Sequence, residues 1–413
     1  MADIVLFVHG MYAAKRPAFE AARRLGLRIS VVGPELPEWA AELVDEYVPG
    51  ETNSPEAMRT TIEQLKTRHA VRPYVGVVTF WDHGVVPAAQ IAAALGLPGT
   101  QPQAAHRVRN KYAMRLALAR HGVPQPQFAL VRDWPELQAA ANRIGFPAIY
   151  KPVGGAGSVG VLLVRSAADL PTVFQTATRH FNPYNDSFFG YYPGEFIYER
   201  FVPGREVSVE AVVADGILHI AGITEKWATP DTFTEYQHGY PARLTAAQEA
   251  TARRLAQDAV RAIGIDRCGV HAEVMLTADG GQVIEVNGRL GGDFITSHLV
   301  PLADGTDLLQ AAIEAATGRP VHLTPSRDEA ACVRFLLADR RGVVVDWRGL
   351  DEARAAPGVQ EVTVNRQIGD LVELPPEAFF SSRLGFVVTS GRNTGEAVER
   401  AGRALSAVVC DVA

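Results

Sequence analysis

The sequence predicts an α/β protein that begins with a parallel β-sheet covered by helices. Over the first 100 residues, short β-branched segments alternate with helical segments, which is the pattern of repeated strand–helix–strand units. Strands are predicted at 4–8, 28–32 and 74–79, and helices at 17–25, 55–68 and 87–95. The breaker-rich segment 96–102 ends this pattern, so we place an N-terminal domain at residues 1–105.

The rest of the chain is predicted to form a central domain at 106–320 and a C-terminal α+β domain at 321–413. A helix at 107–121 opens the central domain, and a lid subdomain is expected at about 122–200. The further elements predicted in the central domain are a helix after Pro135, strands at 148–151 and 159–164, strands within 196–226, a helix at 245–263 and a hairpin at 270–287. The C-terminal domain reads as short strands with turns and a final helix at 394–407.

Composition excludes several classes of protein. The net charge of −6 argues against a nucleic-acid partner, which normally requires a basic domain. Cys268, Cys332 and Cys410 are too widely spaced for a disulfide framework or a zinc site, so a reducing, cytoplasmic compartment is expected. The apolar segment 4–8 is too short for a signal peptide or a membrane span, so no membrane partner is expected.

Lysine is rare in this chain. Only five of the 40 basic residues are lysines: Lys15, Lys66, Lys111, Lys151 and Lys226. A lysine retained in an arginine-rich chain is a candidate for a site that needs a compact point charge.

The predicted hairpin at 270–287 carries two glutamates and is the most informative segment. A turn at 279–280 would place Glu273 roughly opposite Glu285 and on the same face as Asn287, because strand side chains alternate between faces. Opposed carboxylates repel each other, and magnesium binds carboxylates together with substrate phosphates. The hairpin therefore predicts a nucleotide–magnesium platform, with two solvated surface carboxylates as the alternative.

A glycine-rich loop follows the first strand of the lid subdomain. Gly155, Gly157 and Gly160 fit a dinucleotide-binding pattern, but that fold requires a helix after the loop, and the segment 159–164 is β-rich. A glycine loop between two strands is typical of a flexible cover over nucleotide phosphates. Lys151 ends the preceding strand and would place its ammonium on the phosphates. A tight hairpin turn is the alternative.

Two other segments are candidates for ligand contacts. Glu199 and Glu206 flank a Pro-Gly bend, which can offer backbone groups to a purine and the Glu206 carboxylate to ribose, although a generic hairpin explains the same pattern. The segment 81–84 follows a predicted strand end and is a candidate for a substrate contact.

Taken in order, these motifs resemble the ATP-grasp superfamily, and the similarity covers nearly the whole chain. The motifs are Asn110-Lys111-Tyr, Lys151-Pro-Val-Gly-Gly-Ala-Gly-Ser158-Val-Gly160, Glu199 to Glu206, Glu273, and Glu285-Val-Asn287-Gly-Arg289. Within the superfamily, the runs 235–241 and 289–293 are similar to carboxylate–amine ligases of the L-amino-acid (dipeptide) ligase branch. The resemblance implies an ATP-grasp architecture with an N-terminal parallel-sheet domain, a two-subdomain core with a glycine-rich lid, and a small C-terminal α+β domain.

The resemblance also implies roles for individual residues. The nucleotide contacts are expected from Lys111, Lys151 and Lys226 on the phosphates, Gly155, Gly157 and Ser158 over the γ-phosphate, Glu199 and Val202 on adenine, and Glu206 on ribose. Two Mg²⁺ ions, or Mn²⁺, are expected on Glu273, Glu285 and Asn287. The substrate contacts are expected from Arg289 on the acyl phosphate and from Glu235, His238, Gly291 and Gly292 around the amino acid. From the chemistry of histidine, two roles are open for His238, which are to orient the substrate carboxylate or to help to deprotonate the amine.

The function implied by the resemblance is ATP-dependent formation of an amide bond between an amino acid and an amine. A carboxylase or purine-pathway-like ligase is the alternative within ligases, because it shares the architecture and the nucleotide contacts. An ATP-grasp kinase and a non-catalytic nucleotide-binding module are the alternatives outside that class. Proteins that resemble this one are frequently dimers, so the resemblance allows a homodimer, although the sequence does not fix the oligomeric state.

Overall fold

The computed structural model describes residues 3–9, 13–182, 192–376, 378 and 380–413. The N-terminal sheet contains β1 (Ile4–Val8), β2 (Arg28–Gly33), β3 (Glu46–Pro49) and β4 (Tyr74–Val78), accompanied by α1 (Arg16–Arg24), α2 (Pro55–Val71) and α3 (Val85–Ala94). Its strand order is β3-β2-β1-β4, and every pair is parallel. The predicted strand–helix pattern is therefore confirmed. The sequence did not predict β3, which has four residues and only one buried side chain.

The predicted single helix at 107–121 is wrong, because two helices meet there. The helix α4 (Pro102–Arg109) ends at Asn110, whose backbone is extended, and α5 (Lys111–Arg120) begins directly after it. The Asn110 side chain accepts a hydrogen bond from the N–H of Ala113 at 2.9 Å and so caps α5. A helix-forming pattern that continues through this position concealed the break in the sequence.

The region predicted as the lid contains an antiparallel four-stranded sheet. Its elements are β5 (Phe128–Val131), α6 (Trp134–Ile144), β6 (Ala148–Pro152), β7 (Leu162–Val164), α7 (Leu170–His180) and β8 (Phe196–Arg200). The strands pair in the order β5-β8-β6-β7. The strand β7 begins later than the predicted residue 159, because the N–H groups of Val159 and Val161 close tight turns onto the carbonyl oxygens of Ala156 and Ser158.

An eight-stranded antiparallel sheet forms the centre of the molecule. The central region supplies β9 (Arg205–Ala214), β10 (Ile217–Ala228), β11 (Glu235–Tyr240), α8 (Ala246–Ile263), β12 (Cys268–Thr277), β13 (Gly280–Asn287), α9 (Val300–Ala303) and α10 (Leu308–Ala316). The C-terminal region supplies β14 (Ala330–Leu337), β15 (Gly342–Arg348), α11 (Leu350–Ala355), β16 (Val359–Val364), β17 (Leu371–Val372), β18 (Arg383–Gly391), α12 (Thr394–Ala407) and β19 (Val409–Val412). The sheet order is β13-β12-β9-β10-β11-β14-β18-β16, and β17-β15-β19 form a smaller sheet.

The β11–β14 pairing joins the central and C-terminal regions within one sheet. A buried apolar cluster also connects Phe7 and Phe19 of the N-terminal region with Leu308 of α10 and Phe386 of β18. The three regions therefore share packing, and the division at residues 105 and 320 stays a prediction from the sequence.

Candidate active site

A cavity of about 570 Å³ is lined by residues from all three regions. Most of the predicted site residues line it: Lys111, Lys151, Gly155, Gly157, Ser158, Glu199, Val202, Glu206, Glu235, Glu273, Glu285, Asn287, Arg289 and Gly292. Two predicted residues, Lys226 and His238, do not line this cavity, and Gly291 lines a smaller pocket beside it. The fold thus brings together predicted site residues that are as far apart in the sequence as Lys111 and Gly292, which are separated by 181 positions.

The β12–β13 hairpin places Glu273 directly opposite Glu285, as the alternating pattern predicted. The Glu285 carboxylate lies 3.2 Å from the ammonium of Lys111, and the Glu273 carboxylate lies 2.6 Å from that of Lys226. Burial alone would raise the pKa of Glu273, but the Lys226 ammonium and the neighbouring His271 hold that pKa well below its usual range. Each of the two opposed carboxylates therefore faces a cation of its own.

His271 contacts Glu273 and helps to fix its position. Its Nε2 atom lies 3.4 Å from the Glu273 carboxylate, and its Nδ1 atom lies 3.0 Å from the fully buried Glu210 carboxylate. Burial alone would lower the pKa of His271, but the Glu210 carboxylate outweighs it and raises that pKa to about 9. The imidazolium is thus held between two carboxylates and fixes the orientation of Glu273.

The side chain of Asn287 lies at the end of β13. It lies two residues beyond Glu285 on β13, is buried, and borders the cavity. Its Oδ1 atom finds no hydrogen-bond partner among the residues that the structure describes. A buried amide oxygen without a donor, beside a carboxylate, suits a hard divalent cation, which prefers oxygen ligands.

The glycine-rich loop closes one side of the cavity. Lys111 donates a hydrogen bond to the carbonyl oxygen of Gly155 at 2.6 Å, which ties the start of α5 to the loop. Gly157 has φ +60°, and a Cβ atom there would lie 2.7 Å from the ring of Phe380 in the C-terminal region. Glycine suits this position best, because a side chain here would be strained by the left-handed backbone and would require the exposed Phe380 ring to move.

Glu199 and Arg115 form a buried link between the lid and the hairpin. Arg115 of α5 donates to Glu199 at 2.6 Å and to the carbonyl oxygens of Val283 and Ile284 at 3.2 and 2.6 Å. The Lys151 ammonium lies 2.8 Å from the other Glu199 oxygen. The Glu199 side chain therefore orients Lys151, and the adenine contact expected at Glu199 and Val202 stays a prediction.

Arg289 is held by a carboxylate from the N-terminal region. Its Nε and Nη2 atoms lie 2.8 and 2.7 Å from Oδ2 of Asp82, and Arg109 donates to the other Asp82 oxygen at 2.8 Å. Burial would raise the pKa of Asp82, but the Arg289 and Arg109 guanidinium groups hold it well below its usual range. The guanidinium of Arg289 is thus fixed at the cavity wall.

The geometry argues against the predicted phosphate contact of Lys226. Its ammonium lies 2.9, 2.7 and 2.6 Å from the carboxylates of Glu206, Glu235 and Glu273, and its side chain is 2% exposed. Burial alone would lower the pKa of Lys226, but the three carboxylates raise it well above the usual value. The ammonium is therefore paired with this acidic cluster, and a phosphate would have to compete with three carboxylates for it.

The geometry also corrects the expected positions of His238 and Gly291. His238 is fully buried, and its Nε2 atom lies 3.4 Å from Glu235 and 3.3 Å from Asp293, so it stands behind the cavity wall. A Cβ atom at Gly291 would lie 2.8 Å from both the Glu210 carboxylate and the His271 ring, so this glycine allows that pair to approach. Both residues shape the wall without lining the main cavity.

Several residues that line or support this site had no individual role in the sequence interpretation. Among them are Lys15, Arg115, His271 and Arg383, and Asp82 was considered only as part of the candidate segment 81–84. The scarcity of lysine was a usable signal for Lys15. No comparable signal marked the two arginines, because arginine is abundant throughout the chain.

Three stretches of the sequence match known protein families. Residues 19–99 match the ATP-grasp N-terminal domain, residues 144–297 match the ATP-grasp domain, and residues 334–413 match L-amino acid ligase C-terminal domain 2. An uncharacterized protein of Sinorhizobium fredii, y4rH, is 31% identical over 94% of this chain and 78% of its own length. The chain belongs to the ATP-grasp ligase family.

Two further comparisons place this ATP-grasp protein among ligases. Carnosine synthase 1 of Gallus gallus is 30% identical over 84% of this chain, which spans 39% of that protein's length. The crystal structure of an L-amino acid ligase from Bacillus licheniformis superposes with a TM-score of 0.82, covering 100% of this chain and 99% of that one, at 22% sequence identity. The structural likeness confirms the predicted ATP-grasp fold. Among the described residues, no helix is long and apolar enough to cross a membrane.

Proposed function

We propose that this ATP-grasp protein joins the carboxylate of an L-amino acid to an amine, through an acyl phosphate, and releases ADP and phosphate. The observation that supports this proposal best is the opposed pair Glu273 and Glu285 in a cavity that also contains Lys111, Lys151 and Arg289. Two carboxylates can hold metal ions that also bind phosphates. The three cations would reduce the repulsion between two anionic reactants.

The first step would transfer the γ-phosphoryl group. A carboxylate oxygen of the donor amino acid attacks the γ-phosphorus of ATP, and ADP departs with the electron pair of the broken P–O bond. Lys111 and Lys151 would lower the charge repulsion between the two anions. Arg289, held in place by Asp82, would bind the acyl phosphate as it forms.

The second step would form the amide. The amine nitrogen attacks the acyl carbon, the C–O bond to phosphate breaks, and the nitrogen loses a proton. Phosphate leaves with the electron pair of that bond. No protein nucleophile is required, so the contribution of the site is to neutralise charge, orient both substrates and exclude water from the acyl phosphate.

The hairpin residues fit the two magnesium or manganese ions that were expected from the resemblance. Glu273, Glu285 and Asn287 would hold them, and the unpartnered Asn287 oxygen is the structural observation that supports this assignment. When bound, such ions would neutralise phosphate charge and orient the triphosphate.

The remaining contacts are proposed from the positions of the residues around the cavity. Adenine would contact the backbone between Glu199 and Val202, since the Glu199 carboxylate is occupied by Arg115 and Lys151. Ribose would contact Glu206. Glu235 and Gly292 would face the donor amino acid, and His238 would orient Glu235 from behind. The residue ranges 1–105, 106–320 and 321–413 remain our proposal for the domains.

The experiment is a screen of phosphate release with pooled L-amino acids and amines, followed by mass spectrometry of the products. We expect phosphate release to require both an amino acid and an amine, with a product mass equal to their sum less one water. A bicarbonate requirement in place of an amine would favour a carboxylase. A product that retains the phosphoryl group, without amide formation, would favour a kinase. Either result would overturn the proposal.

A further inference from the structure

Lys15 lines the cavity, and its ammonium forms no direct ion pair with any carboxylate among the described residues, although Asp82 and Asp293 are close enough to act on its charge. Lys66, Lys111, Lys151 and Lys226 each form an ion pair. For Lys15, neither an ion pair nor a hydrogen bond of the ammonium is found among the described residues. Burial and the neighbouring Arg289 guanidinium lower the pKa of Lys15 to about 8 and outweigh the opposite effect of the Asp82 and Asp293 carboxylates.

An anion is therefore the ligand that this position suits. A partly buried ammonium without a partner is unfavourable, and a bound anion would offset that cost. Lys15 also directly precedes α1, so the positive end of that helix dipole lies beside it.

The position of Lys15 points away from the nucleotide. Lys15 borders the main cavity together with Phe80, Trp81 and Asp82, whereas the glycine-rich loop borders the cavity from the lid. Lys15 also borders a second pocket of about 190 Å³, and none of the residues expected to contact ATP lines that pocket. These positions favour an anion of an amino-acid substrate over a nucleotide phosphate as the partner of Lys15.

The chemistry of the proposed reaction decides which of the two substrates carries the anion that suits Lys15. The donor's carboxylate becomes the acyl phosphate and then the amide, so a donor with an uncharged side chain retains no anion. The acceptor reacts through its amine and keeps its carboxylate throughout. An acceptor carboxylate therefore matches an ammonium that lies at the amino-acid end of the cavity.

The second pocket suits the acceptor's side chain. Apart from Lys15 and Asp293 at its junction with the main cavity, it is lined by uncharged residues, and most of them are apolar, including Ala18, Phe80, Leu290, Phe294 and Leu309. The Asp293 carboxylate is already engaged, at 2.9 Å from Arg383 and 3.3 Å from His238. An apolar side chain would fill this pocket without leaving a polar group unpaired.

We propose that Lys15 binds the carboxylate of the acceptor and that the adjoining pocket receives its side chain, so that the acceptor is an α-amino acid with an apolar side chain. This inference rests on the proposed ligase function. It assigns to Lys15 a role in acceptor binding and specificity, separate from the phosphate contacts of Lys111 and Lys151.

The test compares L-leucine with L-leucinamide as acceptors, using the donor amino acid identified in the phosphate-release screen. The two acceptors share the amine and the side chain and differ in the negative charge. In Lys15→Met we expect the KM for leucine to rise by about 10- to 100-fold, the range for losing a hydrogen bond to a charged group, while the KM for leucinamide and both kcat values stay within about twofold. Lys15→Glu should prefer leucinamide over leucine.

Arg16→Met is the matched control, because Arg16 is the next residue and its side chain forms an exposed pair with Glu20. It should leave both KM values unchanged. An equal loss with leucine and leucinamide in Lys15→Met, or no loss with either, would overturn this inference alone. If the wild-type protein formed no amide with any amine, the proposed ligase function would fail first, and the inference with it.

Discussion

Asp82, at the carboxyl end of β4, holds Arg289 through two contacts of 2.8 and 2.7 Å to the same carboxylate oxygen. The two residues are 207 positions apart in the chain, and they join the N-terminal region to the end of the β12–β13 hairpin. Since Arg109 occupies the other Asp82 oxygen, the carboxylate is fixed from both sides. The N-terminal region therefore determines where the guanidinium of Arg289 lies.

Asp82→Asn should lower kcat by about 10- to 100-fold while the KM for ATP changes little. An amide holds a guanidinium less firmly than a carboxylate does, so Arg289 would lose the orientation that the acyl phosphate requires. Steady-state kinetics with the donor and the acceptor varied separately will measure this. Asp45→Asn is the control, because Asp45 also pairs with two arginines, Arg23 and Arg28, on the N-terminal sheet. A parallel rise in the KM for ATP would contradict the assigned role.

Glu285→Gln should abolish turnover while the protein stays folded. The substitution removes the charge of one of two opposed carboxylates but keeps an amide oxygen that can accept a hydrogen bond from Lys111, so the protein should stay folded, while a ligand for the expected cations is weakened. ADP release should stay at least about 100-fold below the wild-type rate at saturating magnesium. Asp279→Asn, at the exposed turn of the same hairpin, should retain full activity. Near-normal ADP release by Glu285→Gln would contradict the predicted nucleotide–magnesium platform on the hairpin.

The glycine-rich loop at 154–160 should become more protected when ATP and magnesium bind. The loop lines the cavity, its glycines can adopt many backbone conformations, and Ser158 has a positive φ that is unfavourable for a residue with a side chain, so its conformation without a ligand is weakly favoured. Amide hydrogen exchange measured by mass spectrometry should slow across 154–160. Exchange at the 215–216 turn between β9 and β10 should not change. Equal exchange at 154–160 with and without nucleotide would argue against a lid.

Local patterns were enough to predict the hairpin. Period-two alternation on both sides of an Asp-Gly turn fixes which side chains share a face, so the pairing of Glu273 with Glu285 followed from neighbouring residues alone. The same reasoning failed at Asn110, where a cap interrupts an otherwise continuous helical pattern. The difference is physical, because strand register depends on the turn, whereas a helix break depends on what surrounds it.

Contacts between distant segments could not be predicted in this way. The role of Asp82 depends on Arg289, and that of Arg115 depends on Glu199 and on backbone oxygens of β13. No periodicity links such residues, and they meet only after the sheets have packed. The position of His238 behind Glu235 also depends on packing, since its spacing in the sequence is equally compatible with an exposed turn.

Arg115→Met should destabilise the protein strongly, because it leaves the Glu199 carboxylate with one partner fewer in a buried position. Arg115 is fully buried, and it also satisfies two carbonyl oxygens of β13. Breaking such a buried pair costs about 3–5 kcal/mol of unfolding free energy, which denaturant titration can measure. Arg120→Met, on the exposed end of the same helix, should cost less than about 0.5 kcal/mol. If Arg115→Met also lost less than about 0.5 kcal/mol, the buried link would contribute little to the unfolding free energy.

The stability contribution of Glu199 should depend on pH in the acidic range. Burial alone would raise the pKa of Glu199, but Arg115 and Lys151 outweigh burial and lower it to about 2, from a value of 4.5 in the unfolded chain. A carboxylate with a lowered pKa stabilises the fold fully above the unfolded value, and the contribution disappears as the pH falls through the folded value.

The unfolding free energy of the wild-type protein, minus that of Glu199→Gln, should therefore be constant above about pH 4.5 and decrease by about 3 kcal/mol between pH 4.5 and 2. The subtraction removes the other carboxylates, which titrate alike in both proteins. Glu136→Gln, in which an exposed pair with Arg132 is lost, should show a difference of less than about 1 kcal/mol across this range. A difference for Glu199→Gln that stays constant between pH 4.5 and 2 would mean that the buried pair does not hold this carboxylate ionised.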